Sequence, residues 1–385
     1  MAILSYIIWN GSPEIFTIGS FSLRWYGLFF ALGFLISQQI LYYMYKKEGK
    51  PEKDVDTLTI YMVVATILGA RLGHVIFYQP EIIWESPLSI FLPFEFNPFR
   101  FTGLQGLASH GGAIGILLAL WFYGRKKKPG QNYFQVLDRI VILVALTGAL
   151  IRVGNYFNSE IIGKPTDQPF GVVFANRLTE SFKDEGVQHN KIVKWVDSDK
   201  IVESVMYVKN DTIPAQPNGL KPVTAYVFFT PKADENQISE LIEGRITSLL
   251  NNRLYNFFRP EVQLDYRLAK TNDTEGFIAK INLQGIARHP AQLYEAISCV
   301  ILFAFLYWLW SKYKQDLVAG RLFGIFLIWC FGVRFLLEFL KEPQEAFEAS
   351  LPINMGQILS IPLVVAGIII LLLSFRKKAV EKSEF

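Results

Sequence analysis

The sequence predicts a membrane all-α protein, a bundle of seven transmembrane helices with a small external α/β insertion between the fourth and the fifth. Three observations lead there. Of the 385 residues 51% are hydrophobic and only 19% charged, too oily a balance for a soluble chain. Seven apolar stretches are candidates to cross about 30 Å of hydrocarbon. Basic residues then collect in every second connection, as cytoplasmic loops do.

The spans are expected at Leu23 to Tyr45, Thr57 to Tyr78, Gly106 to Tyr123, Phe134 to Phe157, Leu293 to Trp310, Arg321 to Leu340 and Met355 to Phe375. The third is short, and the fourth carries Asp138 and Arg139 at its start. Lys46, Lys47, Lys50 and Lys53 follow the first span, residues 125–128 the third, Lys312 and Lys314 the fifth, and residues 376–378 the seventh. The other connections hold few positive charges, so the N-terminus is expected outside and the C-terminus inside. No Lys or Arg precedes residue 24 and no small-residue cleavage site follows an apolar stretch, so a cleavable signal peptide is not expected.

Residues 1–158 therefore read as spans one to four, 159–292 as an external segment, and 293–385 as spans five to seven with a cytoplasmic tail. Within the external segment Val262 to Leu268 and Phe277 to Leu283 alternate apolar and polar like half-buried strands, and Thr224 to Phe229 is β-branched and aromatic. Ile238, Leu241, Ile242, Ile246, Leu249 and Leu250 mark one face of a helix.

Several function classes drop out. The net charge of +4 is too small to point to nucleic acid. Cys299 and Cys330 lie in apolar runs, with no CxxC and no disulfide framework. The four histidines, His74, His110, His189 and His289, show no metal-ligand spacing, and there is no GxSxG or P-loop.

Polar residues deep in spans carry the chemistry, because an Arg at a helix centre costs roughly 2.5 to 3.5 kcal/mol on insertion scales and is kept for a reason. Arg71, Arg152 and Arg334 stand out. Each brings neighbours onto its own helical face: His74 and Tyr78 with Arg71, Asn155 with Arg152, Glu338 and Lys341 with Arg334. The bland alternative is structural, an Arg that pairs a carbonyl or a carboxylate, and Glu338 at i+4 is the partner that this alternative would give Arg334. The glycine pairs Gly69/Gly73, Gly111/Gly115 and Gly320/Gly324 read as helix-packing contacts. His110 lies in Ala-Ser-His-Gly-Gly, where the glycines admit a ligand and a neutral imidazole can accept a proton. His289 lies in a turn before the fifth span, where a capping role is the simpler reading.

Seven stretches then fall into one order: Leu-Arg-Trp-Tyr-Gly-Leu at 23–28, Gly-Ala-Arg-Leu-Gly at 69–73, Ser-His-Gly-Gly at 109–112, Arg-Val-Gly-Asn-Tyr-Phe-Asn-Ser-Glu at 152–160, Arg-His-Pro-Ala-Gln-Leu-Tyr-Glu at 288–295, Gly-Val-Arg-Phe-Leu-Leu-Glu-Phe at 332–339 and Met-Gly-Gln-Ile-Leu-Ser-Ile-Pro at 355–362. On these the chain resembles the prolipoprotein diacylglyceryl transferases, bacterial enzymes that lipidate the cysteine of lipoprotein precursors. It departs from the family pattern at Arg24, where His is expected, at Cys330, where an aromatic hydroxyl is usual, and in its longer external segment.

The resemblance implies a multi-pass enzyme of the bacterial inner membrane with a periplasmic N-terminus. It implies transfer of the diacylglyceryl group of phosphatidylglycerol to the lipobox cysteine thiol in a prolipoprotein signal peptide, with a thioether formed and glycerol phosphate released. Position by position it gives His110, Arg152 and Arg334 as catalytic residues. Tyr26, Asn155, Glu160, Gly163 and Glu338 follow as substrate-binding residues, and His289, within the matching 288–295 stretch, is expected with them. No cofactor or metal is expected, because the substrates supply both nucleophile and leaving group. Whether His110 takes the thiol proton or orients the lipid phosphate stays open. Two rivals remain at this point: a transporter of an anionic substrate, and an acyltransferase that works through an enzyme thioester.

Overall fold

A computed structural model describes residues 6–18, 21–90, 92, 94–96, 99–101, 108–183, 186–188, 191–193, 202–210, 219–259, 263–271, 276–342 and 353–383. His189, the first residues of the third expected span and Val262 lie outside them. Among the described residues, seven long helices lie where the spans are expected: α1 (Trp25–Lys47), α2 (Lys53–Tyr78), α3 (Ser109–Gly124), α4 (Tyr133–Phe157), α5 (Ala291–Tyr313), α6 (Arg321–Leu337) and α7 (Met355–Ser383).

Five of these, α1, α2, α5, α6 and α7, lie in stretches long and apolar enough to cross a membrane. The other two are not among them. The 16 residues of α3 reach only about 24 Å at 1.5 Å per residue. Helix α4 has 25 residues and carries Asp138, Arg139 and Arg152. Large apolar side chains point outward, among them Ile60, Ile76, Phe122, Ile297 and Leu372, each more than half exposed; a row of such groups is costly in water and suited to lipid. The chain is a helical, multi-pass membrane protein that also carries a sheet.

The chain divides into two compact units. The first comprises Met1–Phe30, Leu150–Ala296 and Phe335–Gln357; the second comprises Ala31–Ala149, Ile297–Arg334 and Ile358–Phe385.

The first unit contains a six-stranded sheet of β1 (Ile7–Trp9), β2 (Val172–Phe174), β3 (Val202–Lys209), β4 (Leu220–Phe229), β5 (Asp265–Lys270) and β6 (Phe277–Arg288). Its order is β1-β2-β6-β4-β3, with β5 on β6 as well. All pairs are antiparallel except β1 with β2. Alternation places Val223, Ala225 and Val227 of β4 beside Leu283, Ile281 and Ala279 of β6, all buried. The helical run over 235–252 covers this face with Ile238, Ile242, Ile246 and Leu250, none of them exposed. Asp234 and Gln237 start it with reciprocal side-chain to backbone bonds of 2.8 and 3.2 Å. Its middle, Leu241–Ile246, is a π turn that the apolar periodicity did not announce.

In the second unit the glycines of α2 and α3 pack backbone against backbone. A Cβ on Gly111 would lie 2.1 Å from the Gly69 carbonyl oxygen, and one on Gly73 2.6 Å from the Gly111 Cα. The packing reading of these glycines therefore holds. Arg71 donates to the Ile90 carbonyl at 3.0 Å, the structural alternative for that arginine. Asp138 has a structural reason for its place in an apolar helix. Fully buried, it accepts the backbone N–H groups of Gly320 and Phe323 at 2.7 and 2.8 Å and so caps the start of α6.

Candidate active site

The first unit gathers seven of the nine expected residues. Tyr26 stands in the first turn of α1, and Gly154 of α4 lies against it: a Cβ there would sit 2.9 Å from the Tyr26 Cα. Two residues earlier on α4, Arg152 pairs through Nε with Glu295 of α5. Its Nη1 donates to Asn155 Oδ1 at 3.3 Å, the i, i+3 relation of one helical face. Buried Asn155 passes the contact on, donating from Nδ2 to Glu160 Oε2 at 3.1 Å. Tyr26 lies within electrostatic reach of both Arg152 and Glu160.

Glu160 is exposed and held in a strained loop. Its neighbours Ser159 and Ile161 have φ of 52° and 54°, a region a β-branched residue seldom enters. The loop keeps this shape through Ser159 Oγ, 2.7 Å from Asn176 Oδ1, through the Gln292 amide donating to the Glu160 carbonyl, and through Asn158 Nδ2 donating to Glu160 Oε1 at 3.3 Å.

Gly163 is positioned by its backbone. Its N–H donates to the His289 carbonyl at 3.0 Å, and its own carbonyl accepts from Arg288 Nη1 at 3.0 Å. A Cβ would lie 2.6 Å from the His289 carbonyl oxygen and 2.9 Å from that of Leu340, so only glycine fits between the two strands of backbone. His289 Nδ1 lies 3.1 Å from the Tyr294 hydroxyl, and burial lowers the imidazole below its ordinary value, which keeps it neutral near pH 7. That fits the simpler reading of His289 as a loop-holding residue.

Glu338 departs from the pairing its spacing offered. Helix α6 ends at Leu337, and Glu338 opens a 3₁₀ turn, where it accepts from Lys341 Nζ at 3.0 Å. Lys341 also reaches Glu295 Oε1 at 2.5 Å. Glu295, Glu338 and Lys341 are 7%, 6% and 3% exposed, whereas the Arg152 side chain keeps 22%.

The other two expected residues belong to the second unit. His110 is exposed in the first turn of α3, and Arg334 is half-buried near the end of α6. Among the described residues neither side chain has a hydrogen bond or ion pair. At the two departures from the family pattern, exposed Arg24 pairs with Glu14 at 3.6 Å and Cys330 packs half-buried among apolar neighbours.

Sequence reasoning did not single out Glu295 or Gln292 as members of this network, and it placed Lys341 only on the helical face of Arg334 and Glu338. The available signal was a carboxylate in the first turns of an apolar span, at Glu295, which asks for a buried cation.

A family profile described as prolipoprotein diacylglyceryl transferase matches residues 13–373, which include all nine expected residues. The chain belongs to this family. Three relatives named phosphatidylglycerol–prolipoprotein diacylglyceryl transferase illustrate the likeness. The protein of Tolumonas auensis is 32% identical over 97% of this chain and 99% of its own length. That of Chloroherpeton thalassium is 32% identical over 98% of both. That of Bacteroides fragilis is 31% identical over 98% of this chain and 99% of its own. The likeness runs through the sheet-bearing segment, so that segment is shared with these relatives.

Proposed function

We infer that this family member transfers the diacylglyceryl group of phosphatidylglycerol to the lipobox cysteine of a prolipoprotein. The family match over residues 13–373 carries the reading. The thiolate sulfur attacks the glyceryl carbon, the carbon–oxygen bond breaks with its electron pair going to the phosphate oxygen, and glycerol phosphate leaves. The thiol proton goes to a base, and the product is a thioether.

A phosphodiester with one negative charge becomes a monoester with nearly two, so charge grows on the leaving oxygens. Guanidinium groups suit that change, since they stay ionised in apolar surroundings and present forked donors. Arg152 and Arg334 form the proposed clamp, with Asn155 and Tyr26 as neutral donors and Glu160, Gly163, His289 and Glu338 shaping the substrate site. His110 is the proposed base, or the residue that orients the phosphate. What supports Arg152 is its partly exposed edge beside a buried network; what supports Arg334 and His110 is that no described residue takes their donors.

The finer topology is part of the same proposal: seven spans in the bacterial inner membrane, with α3 and α4 included. The N-terminus and the 159–292 segment are periplasmic, the C-terminus cytoplasmic, and the domains run 1–158, 159–292 and 293–385. The alternation of basic connections supports this orientation. Incubating purified protein with phosphatidylglycerol and a lipobox peptide tests the function. A peptide mass gain of one diacylglyceryl group is expected, and an unmodified peptide, or one gaining a single acyl chain, sinks the reading.

A further inference from the structure

Lys341 is a buried cation, only 3% exposed, in the segment that follows α6. It bridges two carboxylates, Glu295 at 2.5 Å and Glu338 at 3.0 Å. Glu295 divides its two oxygens: Oε1 accepts from Lys341, and Oε2 lies in an ion pair against Arg152 Nε. The Arg152 guanidinium pairs with this carboxylate through Nε and makes no forked pair of hydrogen bonds with it. Its Nη1 reaches Asn155, and among the described residues no group takes its Nη2.

The backbone around Lys341 is fixed as well. Gly163 and Lys341 form an antiparallel bridge, Lys164 N donates to the Leu340 carbonyl at 2.7 Å, and Arg288 Nη1 holds Glu342 at 2.6 Å. The ammonium is thus delivered to Glu295 by a segment stitched to the Gly163 loop.

A carboxylate and a guanidinium left alone adopt the forked, two-bond arrangement, which is the strongest geometry open to them. Glu295 has a second oxygen with which to make that fork, and Lys341 occupies it. We propose that Lys341 is a positioning residue for anion binding at Arg152: by holding one oxygen of Glu295 it prevents that carboxylate from chelating the guanidinium, and so leaves the outer edge of Arg152 to the lipid phosphodiester. This rests on the function proposed above for its substrate, but concerns a residue with no place in the expected site.

The test measures phosphatidylglycerol affinity of the purified full-length protein by native mass spectrometry, alongside KM and kcat for transfer to a lipobox peptide. Lys341→Met removes the ammonium that holds Glu295 Oε1, so that the carboxylate competes for Arg152. We expect at least tenfold weaker phosphatidylglycerol binding and a matching rise in KM, with kcat changed less. Lys341→Arg should restore both. Two double variants separate positioning from mere charge balance. Lys341→Met with Glu338→Gln removes the surplus charge but leaves Glu295 competing, so its melting temperature should recover while affinity stays low. Lys341→Met with Glu295→Gln removes the competitor, so affinity should recover. Equal recovery of affinity in both doubles, or unchanged affinity in a well-folded Lys341→Met protein, overturns the proposal. Failure of the unaltered protein to modify the peptide would overturn the transferase reading alone, because the affinity comparison still decides the role of Lys341.

Discussion

Two arginines of helix α4, thirteen residues apart, show what burial does to the same side chain. Arg139, in the second unit, is 2% exposed and each of its three nitrogens has an acceptor: Glu48 at 3.0 Å, the Gln135 carbonyl at 2.9 Å and the Lys314 carbonyl at 3.1 Å. Glu48 is just as fully engaged, taking Trp310 Nε1 at 2.6 Å and Lys50 at 2.5 Å. Burial by itself would push the Glu48 carboxyl up, yet Arg139, Lys50 and Trp310 together outweigh it and hold it below its ordinary value. Arg152, in the first unit, has two side-chain partners and keeps a fifth of its surface open. An arginine with every donor enclosed by protein locks a fold; one with an open edge beside a buried network has capacity left for a ligand anion.

That contrast is broken most directly by Arg152→Lys, which keeps the charge and loses the fork. Transfer should fall on the order of 10²- to 10³-fold, the usual worth of a donor at developing charge, with a nearly unchanged melting temperature. Arg334→Lys should behave alike. Near-normal turnover of either variant at equal membrane abundance would remove that residue from the clamp.

Arg139→Met should do the reverse. It leaves Glu48 buried without its main counter-charge, a loss of about 3 to 5 kcal/mol, read as a large drop in melting temperature in detergent. Activity per folded molecule should change little. Because Glu48 titrates below its unfolded value, its stabilising contribution is complete above the ordinary glutamate range and is lost as the pH falls through the lowered folded value. The variant should lack that acid-side step, and an identical acid-denaturation curve would contradict the assignment.

A smaller effect sharpens the comparison at backbone level. Gly163→Ala puts a carbon 2.6 Å from a backbone oxygen that has no room to move, so roughly 1 to 3 kcal/mol of strain and a clear loss of transfer are expected. Gly332→Ala on α6 meets nothing within 4 Å, and it should be neutral or slightly stabilising. Equal outcomes for the two glycines would mean that the Gly163 loop relaxes in the membrane.

The smallest effect is expected of the cysteines. If substrate sulfur attacks carbon directly, Cys299→Ala with Cys330→Ala should keep transfer within a few-fold, the change coming from packing. A folded but inactive double variant, or a hydroxylamine-labile adduct on the enzyme, would favour the thioester route instead.

By itself the sequence determined the long helices, because apolar runs of this length have one good way to satisfy their backbone in lipid. It also determined the family and the shared face of Arg152 and Asn155, since i, i+3 spacing puts these two together whatever the rest of the chain does. Alternation and β-branched composition located three of the six strands, β4, β5 and β6, while β1, β2 and β3 went unread: the three-residue strands are too short to show a period, and β3 has exposed residues on both faces. The partners of the buried charges were decided only by tertiary structure. Nothing in the spacing of Arg334 and Glu338 says that α6 stops between them, or that Lys341 turns back to bridge Glu338 and Glu295. Ion pairs between elements depend on where chain ends and loops bring groups together, and local pattern carries no record of that; Gly163, fixed between the His289 and Leu340 carbonyls, is where the chain makes the meeting possible.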